Sequence, residues 1–299
     1  MVVVDRVTTL TKDAFLRDYA ARRRPVVMTG ASSAWPCMHS WSNEYLRERF
    51  GNDEVAVQLP EADGQFHYRS SKQTRFHDFL EEVTCPNPKM QYLTTNALMG
   101  AKGEILHALA NDFPMPEFVP KESVRVGNIW IGPAGTKSVL HHDAEDNILA
   151  MVRGRKKFVL FAPSDTKNVY PYPVKNIRAI LEGRVLDSRI DMSNVDFERF
   201  PRFRKANPIH VTITPPEMLY LPAGYWHYVV GEEMSIMVNF WFFPLAYRAT
   251  LLPPVLQTRI KWVLAAFFNR LESYGRASQD IFNRRARRYG DFRRCRSRR

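Results

Sequence analysis

Five residues inside Val139-Leu140-His141-His142-Asp143 carry the clearest chemical signal in this 299-residue chain. On a strand, alternate side chains share a face, so His141 and Asp143 point one way and His142 the other. A second histidine, His227, follows the turn Leu221-Pro222-Ala223-Gly224 and opens a later β-rich run. An antiparallel fold can bring it opposite the first pair. Two imidazoles and one carboxylate on one side of a divalent ion form the facial set used by Fe(II) oxygenases, which leaves coordination positions open for co-substrates. Thiolates would be poor ligands beside an oxidising centre, and none is near: Cys37, Cys85 and Cys295 are far apart and have no Cys-x-x-Cys spacing. That pattern argues against a disulfide framework or structural zinc, and fits a reducing compartment.

Each piece alone has a plainer reading. His-x-Asp is a common tripeptide, and a histidine between Trp226 and Tyr228 is often a satisfied core residue. The combination is what carries weight. Lys156 then opens the strand after the Arg153-Gly154-Arg155 turn. A cation there could pair with the distal carboxylate of a dicarboxylate co-substrate, a contact stronger than a neutral hydrogen bond. Its plain alternative is a solvated surface lysine.

Positioning such a set requires a β scaffold. From Val124 onward, short β-rich runs follow one another: 124–131, 138–143, 147–152, 156–161, 209–213, 218–221, 227–230 and 235–242. Gly154, Pro163, Pro215-Pro216 and Gly224 punctuate them. Strands in series with no helices between most of them predict an antiparallel jelly roll rather than a parallel sheet. Residues 164–208 read as an insertion, with Tyr170-Pro171-Tyr172-Pro173, a helical stretch near 177–181, and loops. Before the jelly roll, Thr11 and Ser42 are expected to cap helices, residues 25–30 to form a strand, and Phe76, Phe79, Leu80 and Val83 to line the buried face of a third helix. After Pro253-Pro254, Ile260, Val263, Leu264, Phe267 and Leu271 share one helical face, and a further helix is expected over 277–289. The expected division is an α/β part over 1–120, the core over 121–245, a helical region over 250–283 and a tail over 284–299.

Charge adds less than its total suggests. The net charge is +12, but residues 284–299 hold nine arginines and one aspartate. The tail therefore carries +8 and the remainder about +4 by subtraction. It could meet phosphates or serve as a targeting patch. The longest apolar run, 262–268, is too short to span a bilayer, and the N-terminus lacks an apolar signal region. The expectation is a cytoplasmic or nuclear protein, neither secreted nor transmembrane.

With these residues in view, the chain resembles the jumonji-C (cupin-like) hydroxylases. The resemblance lies in Ser138 through Leu149, Val152 through Pro163, Met218 through Ala223 with His227, Val238-Asn239-Phe240-Trp241, the N-terminal Arg24-Pro25-Val26-Val27 with Trp35 and Trp41, and Gln91-Tyr92-Leu93. It spans about residues 10 to 245. The resemblance implies a double-stranded β-helix core and a dioxygenase that uses Fe(II), 2-oxoglutarate and O2. His141, Asp143 and His227 would be the metal ligands. Lys156, Tyr92 and Ser138 would hold the distal carboxylate, and Asn147 and Asn239 would line the same pocket. Many relatives carry threonine at the Ser138 position. The asparagines could equally be strand-end turn residues.

Two branches of the family look similar. One modifies the wybutosine base of phenylalanine tRNA, which the ordering of Phe113 through Phe118, Phe200-Pro201-Arg202-Phe203 and the C-terminal helices resembles. The other is the lysyl hydroxylase branch. Both usually carry Leu-Trp-Phe where this chain has Gly224-Tyr225-Trp226, so this wall of the site differs. The implied substrate is tRNA, or alternatively a protein side chain, with histone lysine demethylation and a non-enzymatic cupin as more distant readings. Relatives often dimerise through C-terminal helices, and a homodimer is the corresponding expectation.

Overall fold

Thirteen strands build the structure, a computed structural model that describes residues 3–67, 70–96, 105–120, 123–173 and 184–245. In chain order they are β1 (Asp5–Val7), β2 (Val26–Met28), β3 (Glu54–Gln58), β4 (Ser71–Arg75), β5 (Tyr92–Asn96), β6 (Val124–Gly132), β7 (His141–His142), β8 (Asp146–Arg153), β9 (Lys156–Phe161), β10 (Ile209–Ile213), β11 (Met218–Leu221), β12 (Trp226–Gly231) and β13 (Ser235–Phe242). They form a nine-stranded sheet, in the order β1-β2-β11-β8-β13-β6-β5-β3-β4, and a four-stranded sheet, β10-β9-β12-β7. The β1–β2 pair is parallel. The pairs that build the two facing sheets are antiparallel. This is the expected mainly-β jelly roll, its larger sheet widened at both edges by N-terminal strands. The strands of the 1–120 segment continue the core sheet through the β5–β6 pairing.

Period-2 alternation sorts the side chains into three apolar layers. Ile148, Ala150 and Val152 of β8 and Val238, Phe240 and Phe242 of β13 face outward from the large sheet. There they pack with Phe15, Trp35, Trp41, Phe76 and Phe79 from the N-terminal helical segments. Leu149 and Met151 of β8, Met237 of β13, and Phe158 and Leu160 of β9 fill the space between the sheets. Val159 and Phe161 of β9 with Trp226 and Tyr228 of β12 form the outer face of the small sheet. The parity matters for function: Asn147, Lys156, His227, Asn239 and Trp241 all fall on the inner side.

Helix signals hold at their starts. Thr11 Oγ1 accepts from the Ala14 N–H at 3.3 Å, and Ser42 Oγ accepts from the Tyr45 N–H at 3.1 Å. Helix Phe76–Thr84 buries Phe76, Phe79, Leu80 and Val83 as its spacing requires. One local expectation is corrected. The run expected over 138–143 is a strand only at His141–His142, with Ser138 pairing to Phe66 as an isolated bridge instead of extending the ladder. Gly51 caps the C-terminal end of helix Asn43–Phe50 with φ at −57°, a right-handed conformation.

Residues 1–171 with 186–256 form one compact unit; a second comprises 172–185 and 257–299. Within the second, Arg184 donates to the Tyr172 hydroxyl at 2.8 Å. The helical stretch expected near 177–181, the helices expected after 250, the dimer face and the arginine-rich tail all lie outside the described residues.

Candidate metal centre and co-substrate pocket

Antiparallel register brings the two histidines together. In the β7–β12 pair, His141 lies directly opposite His227, and His142 opposite Trp226. The rings of His141 and His227 are 4.0 Å apart between centroids. His142 turns to the other face, as alternation requires, and packs edge-on against Trp226 at 4.5 Å. Asp143 follows β7, and its Oδ2 lies 3.8 Å from His227 Nε2. One ligand atom from each of His141, Asp143 and His227 lies within 4.8 Å of the others. Among the described residues, this is the one cluster of histidine, cysteine and acidic side chains able to hold a metal ion.

The donor set is oriented from behind. His141 Nδ1 is 2.8 Å from the Val139 carbonyl, and His227 Nδ1 is 3.0 Å from the Tyr225 carbonyl. Each carbonyl accepts a proton from Nδ1, which leaves Nε2 with its lone pair, the form a metal requires. Burial, reinforced by the neighbouring His141, pushes His227 well below the ordinary histidine range and keeps it neutral. Trp241 Nε1–H donates to Asp143 Oδ2 at 3.1 Å and so fixes the carboxylate rotamer. The turn before β12 is tied to the first ligand pair: Gly224 N–H donates to the Asp143 carbonyl at 2.8 Å, and Ala223 N–H to Asp146 Oδ1 at 2.8 Å. Gly224 has φ +79°, a left-handed turn that glycine adopts without a Cβ clash. Asp146 also accepts from the Tyr220 hydroxyl and the Leu245 N–H. Its burial raises its pKa, opposed by these three hydrogen bonds. Sequence reading missed Asp146 and Trp241. Parity from Asn239 does place Trp241 inside, but no sequence signal marks Asp146 as a clamp.

Deeper in the same cavity lies Lys156, 1 % exposed. Its ammonium donates to the Tyr92 hydroxyl at 2.6 Å and sits 4.8 Å from the Tyr92 ring centroid. Among the described residues no carboxylate pairs with it, and desolvation pushes it down to about 7. A buried cation facing a cavity without an anion is costly, and a carboxylate there would relieve the cost. Thr136 lines the same cavity, and its buried hydroxyl has no partner.

The other sequence candidates are also in place, with different bonding. Ser138 lines the cavity, but its hydroxyl donates to the Val139 carbonyl at 3.0 Å and accepts from the Val229 N–H at 2.9 Å. Its one proton is therefore committed to the backbone, and the expectation that it donates to a carboxylate does not fit this arrangement. Asn147 and Asn239 are not turn residues: Asn239 donates to Asn147 Oδ1 at 2.9 Å, while its own oxygen accepts from Asn128 and Trp130. Tyr92, Trp130 and Trp241 form a continuous aromatic wall, with centroid separations of 5.7 and 6.3 Å.

Comparison with known proteins supplies the context. The chain is 29 % identical over 250 residues to lysine-specific demethylase 8 of Danio rerio, covering 80 % of this chain and 58 % of that protein. It is 29 % identical over 230 residues to Jumonji C domain-containing protein 5 of Drosophila melanogaster, covering 73 % and 54 %. It is 29 % identical over 260 residues to tRNA wybutosine-synthesizing protein 5 of Gallus gallus, covering 80 % and 77 %. The chain thus spans just over half the length of the first two and about three quarters of the third. The model of the cupin-like domain matches residues 12–246. On that match and on the jelly-roll strands that carry the site, the chain belongs to the cupin-like family, in its jumonji-C group.

Proposed function

We propose that this chain is an Fe(II)- and 2-oxoglutarate-dependent dioxygenase that hydroxylates a macromolecular substrate, with a tRNA base of the wybutosine type as the best reading. The observation that carries the co-substrate is Lys156, a fully buried cation whose one hydrogen-bond partner among the described residues is the neutral Tyr92 hydroxyl, in the same cavity as a two-histidine, one-carboxylate cluster. His141, Asp143 and His227 would hold the iron. Lys156 and Tyr92 would hold the distal carboxylate, and the unpartnered Thr136 hydroxyl offers a further donor in place of Ser138. Iron held there would supply dioxygen activation coupled to oxidative decarboxylation of 2-oxoglutarate to succinate.

The protein's own part is positional. Carbonyls behind the histidines fix their tautomers, Trp241 holds Asp143, and Lys156 sets the depth of the co-substrate. The asparagine pair and the aromatic wall line the cavity beside them. The tRNA reading is supported by the likeness to the chicken protein, most of whose length is matched. Protein side-chain hydroxylation, or lysine demethylation, is the second reading, favoured by the demethylase relatives. A non-enzymatic cupin is the third, and the buried lysine argues against it.

Purified full-length protein with Fe(II) should release succinate from 2-oxoglutarate, and His141→Ala should abolish this. Absence of both turnover and iron binding would sink the reading. Deleting residues 284–299 and measuring tRNA affinity across a salt series tests the RNA branch: a flat salt dependence in both chains would refute it.

A further inference from the structure

The face of the small sheet that points away from the metal cluster carries a second, open site. The segment between β9 and β10 folds back over it, Phe203 packing on Phe161 at 5.5 Å. A groove remains, lined by Val159, Phe161, Phe197, Phe203, Arg204 and His210 among others, with a volume of about 440 Å³. Phe197 is 40 % exposed, which is unusual for a large aromatic beside an apolar groove. His210 is exposed too, because β10 turns it to the outer side opposite Val159.

Arg204 lines this groove, and three further arginines lie over aromatic rings next to it. Arg204 lies over the Phe197 ring at 4.5 Å, Arg202 over Tyr170 at 4.5 Å, and Arg199 over Phe200 at 5.2 Å. Arg189 sits over Tyr170 and Phe200 at 5.6 and 5.9 Å. The stacked aromatics are contiguous with the groove floor, because Phe203 packs against Tyr170 and Phe200. Among the described residues, none of these four arginines forms an ion pair. Asp196 accepts from the Glu198 and Arg199 backbone N–H groups, and Asp191 from Gln65 and Ser193; Glu198 is an exposed acid on the same stretch. A guanidinium placed over a ring and exposed to solvent can still offer N–H groups to a bidentate acceptor, and phosphate fits that fork. Unpaired bases in turn stack on exposed aromatic and guanidinium planes.

We propose that this outer face is a docking site for single-stranded RNA, with an unpaired base in the Phe197–Phe203 groove and backbone phosphates on Arg199, Arg202 and Arg204. Charge complementarity selects this occupant: an apolar floor alone would suit many partners, but a floor bordered by Arg204, with Arg199 and Arg202 over the adjoining aromatics, suits an aromatic polyanion. The role of the contact rests on the tRNA reading above. The site itself is separate from the metal cluster, so it would hold the RNA away from the reacting base and set its register.

The test uses the full chain and a short fluorescein-labelled single-stranded RNA, followed by anisotropy across a salt series. Removing two phosphate contacts with Arg202→Ala/Arg204→Ala should make the slope of log affinity against log salt shallower by about 1.4. Phe197→Ala should lower affinity by about 5- to 150-fold with the salt slope unchanged. Succinate release from 2-oxoglutarate should be unaffected in both variants. RNA affinity and slope that match the unaltered chain in both variants overturn the proposal. So does tighter binding of a polyglutamate peptide than of RNA, or loss of a dimer in sedimentation as the only change. Weakened RNA binding in a chain that releases no succinate would keep this site and remove the oxygenase reading instead.

Discussion

Replacing Lys156 by methionine should stabilise the free protein at low pH while destroying co-substrate binding. Burial holds the ammonium down to about 7 against an ordinary 10.5, equivalent to about 5 kcal/mol. The folded-state value is the lower one, so between about pH 7 and 10.5 the unfolded chain binds the proton more readily. The penalty is fully present below about pH 7 and shrinks as pH rises toward 10.5. Methionine has similar length and no charge, so Lys156→Met removes the penalty. It also leaves the buried Tyr92 hydroxyl without the bond it accepts from Lys156, at a cost of about 1–3 kcal/mol. The balance at pH 6 is a gain on the order of 2–4 kcal/mol, or a melting temperature higher by roughly 5–10 °C. Near pH 9 the residual lysine penalty is only about 2 kcal/mol, and the two chains should melt together. Calorimetric melts from pH 6 to 9, without metal or co-substrate, read this directly. Added 2-oxoglutarate with Mn(II) should raise the melting point of the unaltered chain and leave the variant unmoved. If the variant melts lower at pH 6, or if the gap is independent of pH, the lysine is compensated in a way this account does not contain.

Three further outcomes are expected. His227→Ala should eliminate cobalt(II) absorption bands at equimolar metal while leaving the far-ultraviolet circular dichroism intact, since the apolar layers do not depend on the imidazole. Trp241→Phe removes the 3.1 Å bond to Asp143 and should weaken metal affinity by about 10- to 100-fold in a calorimetric titration, with unchanged melting of the free protein. Asp146→Ala strands the Tyr220 hydroxyl and two backbone N–H groups and should cost on the order of 3–5 kcal/mol in urea unfolding. Asp146→Asn, which keeps an acceptor, should cost less.

How much of this was legible beforehand depends on the kind of information each residue carries. Alternation is a local property, so the inward parity of Lys156, His227 and Asn239 follows from the strand runs themselves. The triad residues were legible for the same reason, once two of them shared a period-2 relation. Pairing choices of small polar groups are not local. Ser138 has the residue type for a carboxylate contact, yet its proton goes to the Val139 carbonyl, and only the position of β12 decides that. Asp146 looks like any acidic residue next to a metal motif until Tyr220, Ala223 and Leu245 converge on it. The insertion was visible as a break in the β pattern, but not its arginine-over-aromatic stacking, because the arginines and their rings are separated by up to 32 positions, as with Arg202 and Tyr170.

The bond between the Gly224 amide and the Asp143 carbonyl joins chain segments far apart in sequence. It clasps the two halves of the ligand set to one another before any ion arrives. That bond is made by the backbone alone, so on the proposed iron reading the fold is expected to survive loss of the metal, in contrast to small zinc modules that collapse when stripped. On that reading a chelator should abolish activity without unfolding the chain, and added iron should restore it.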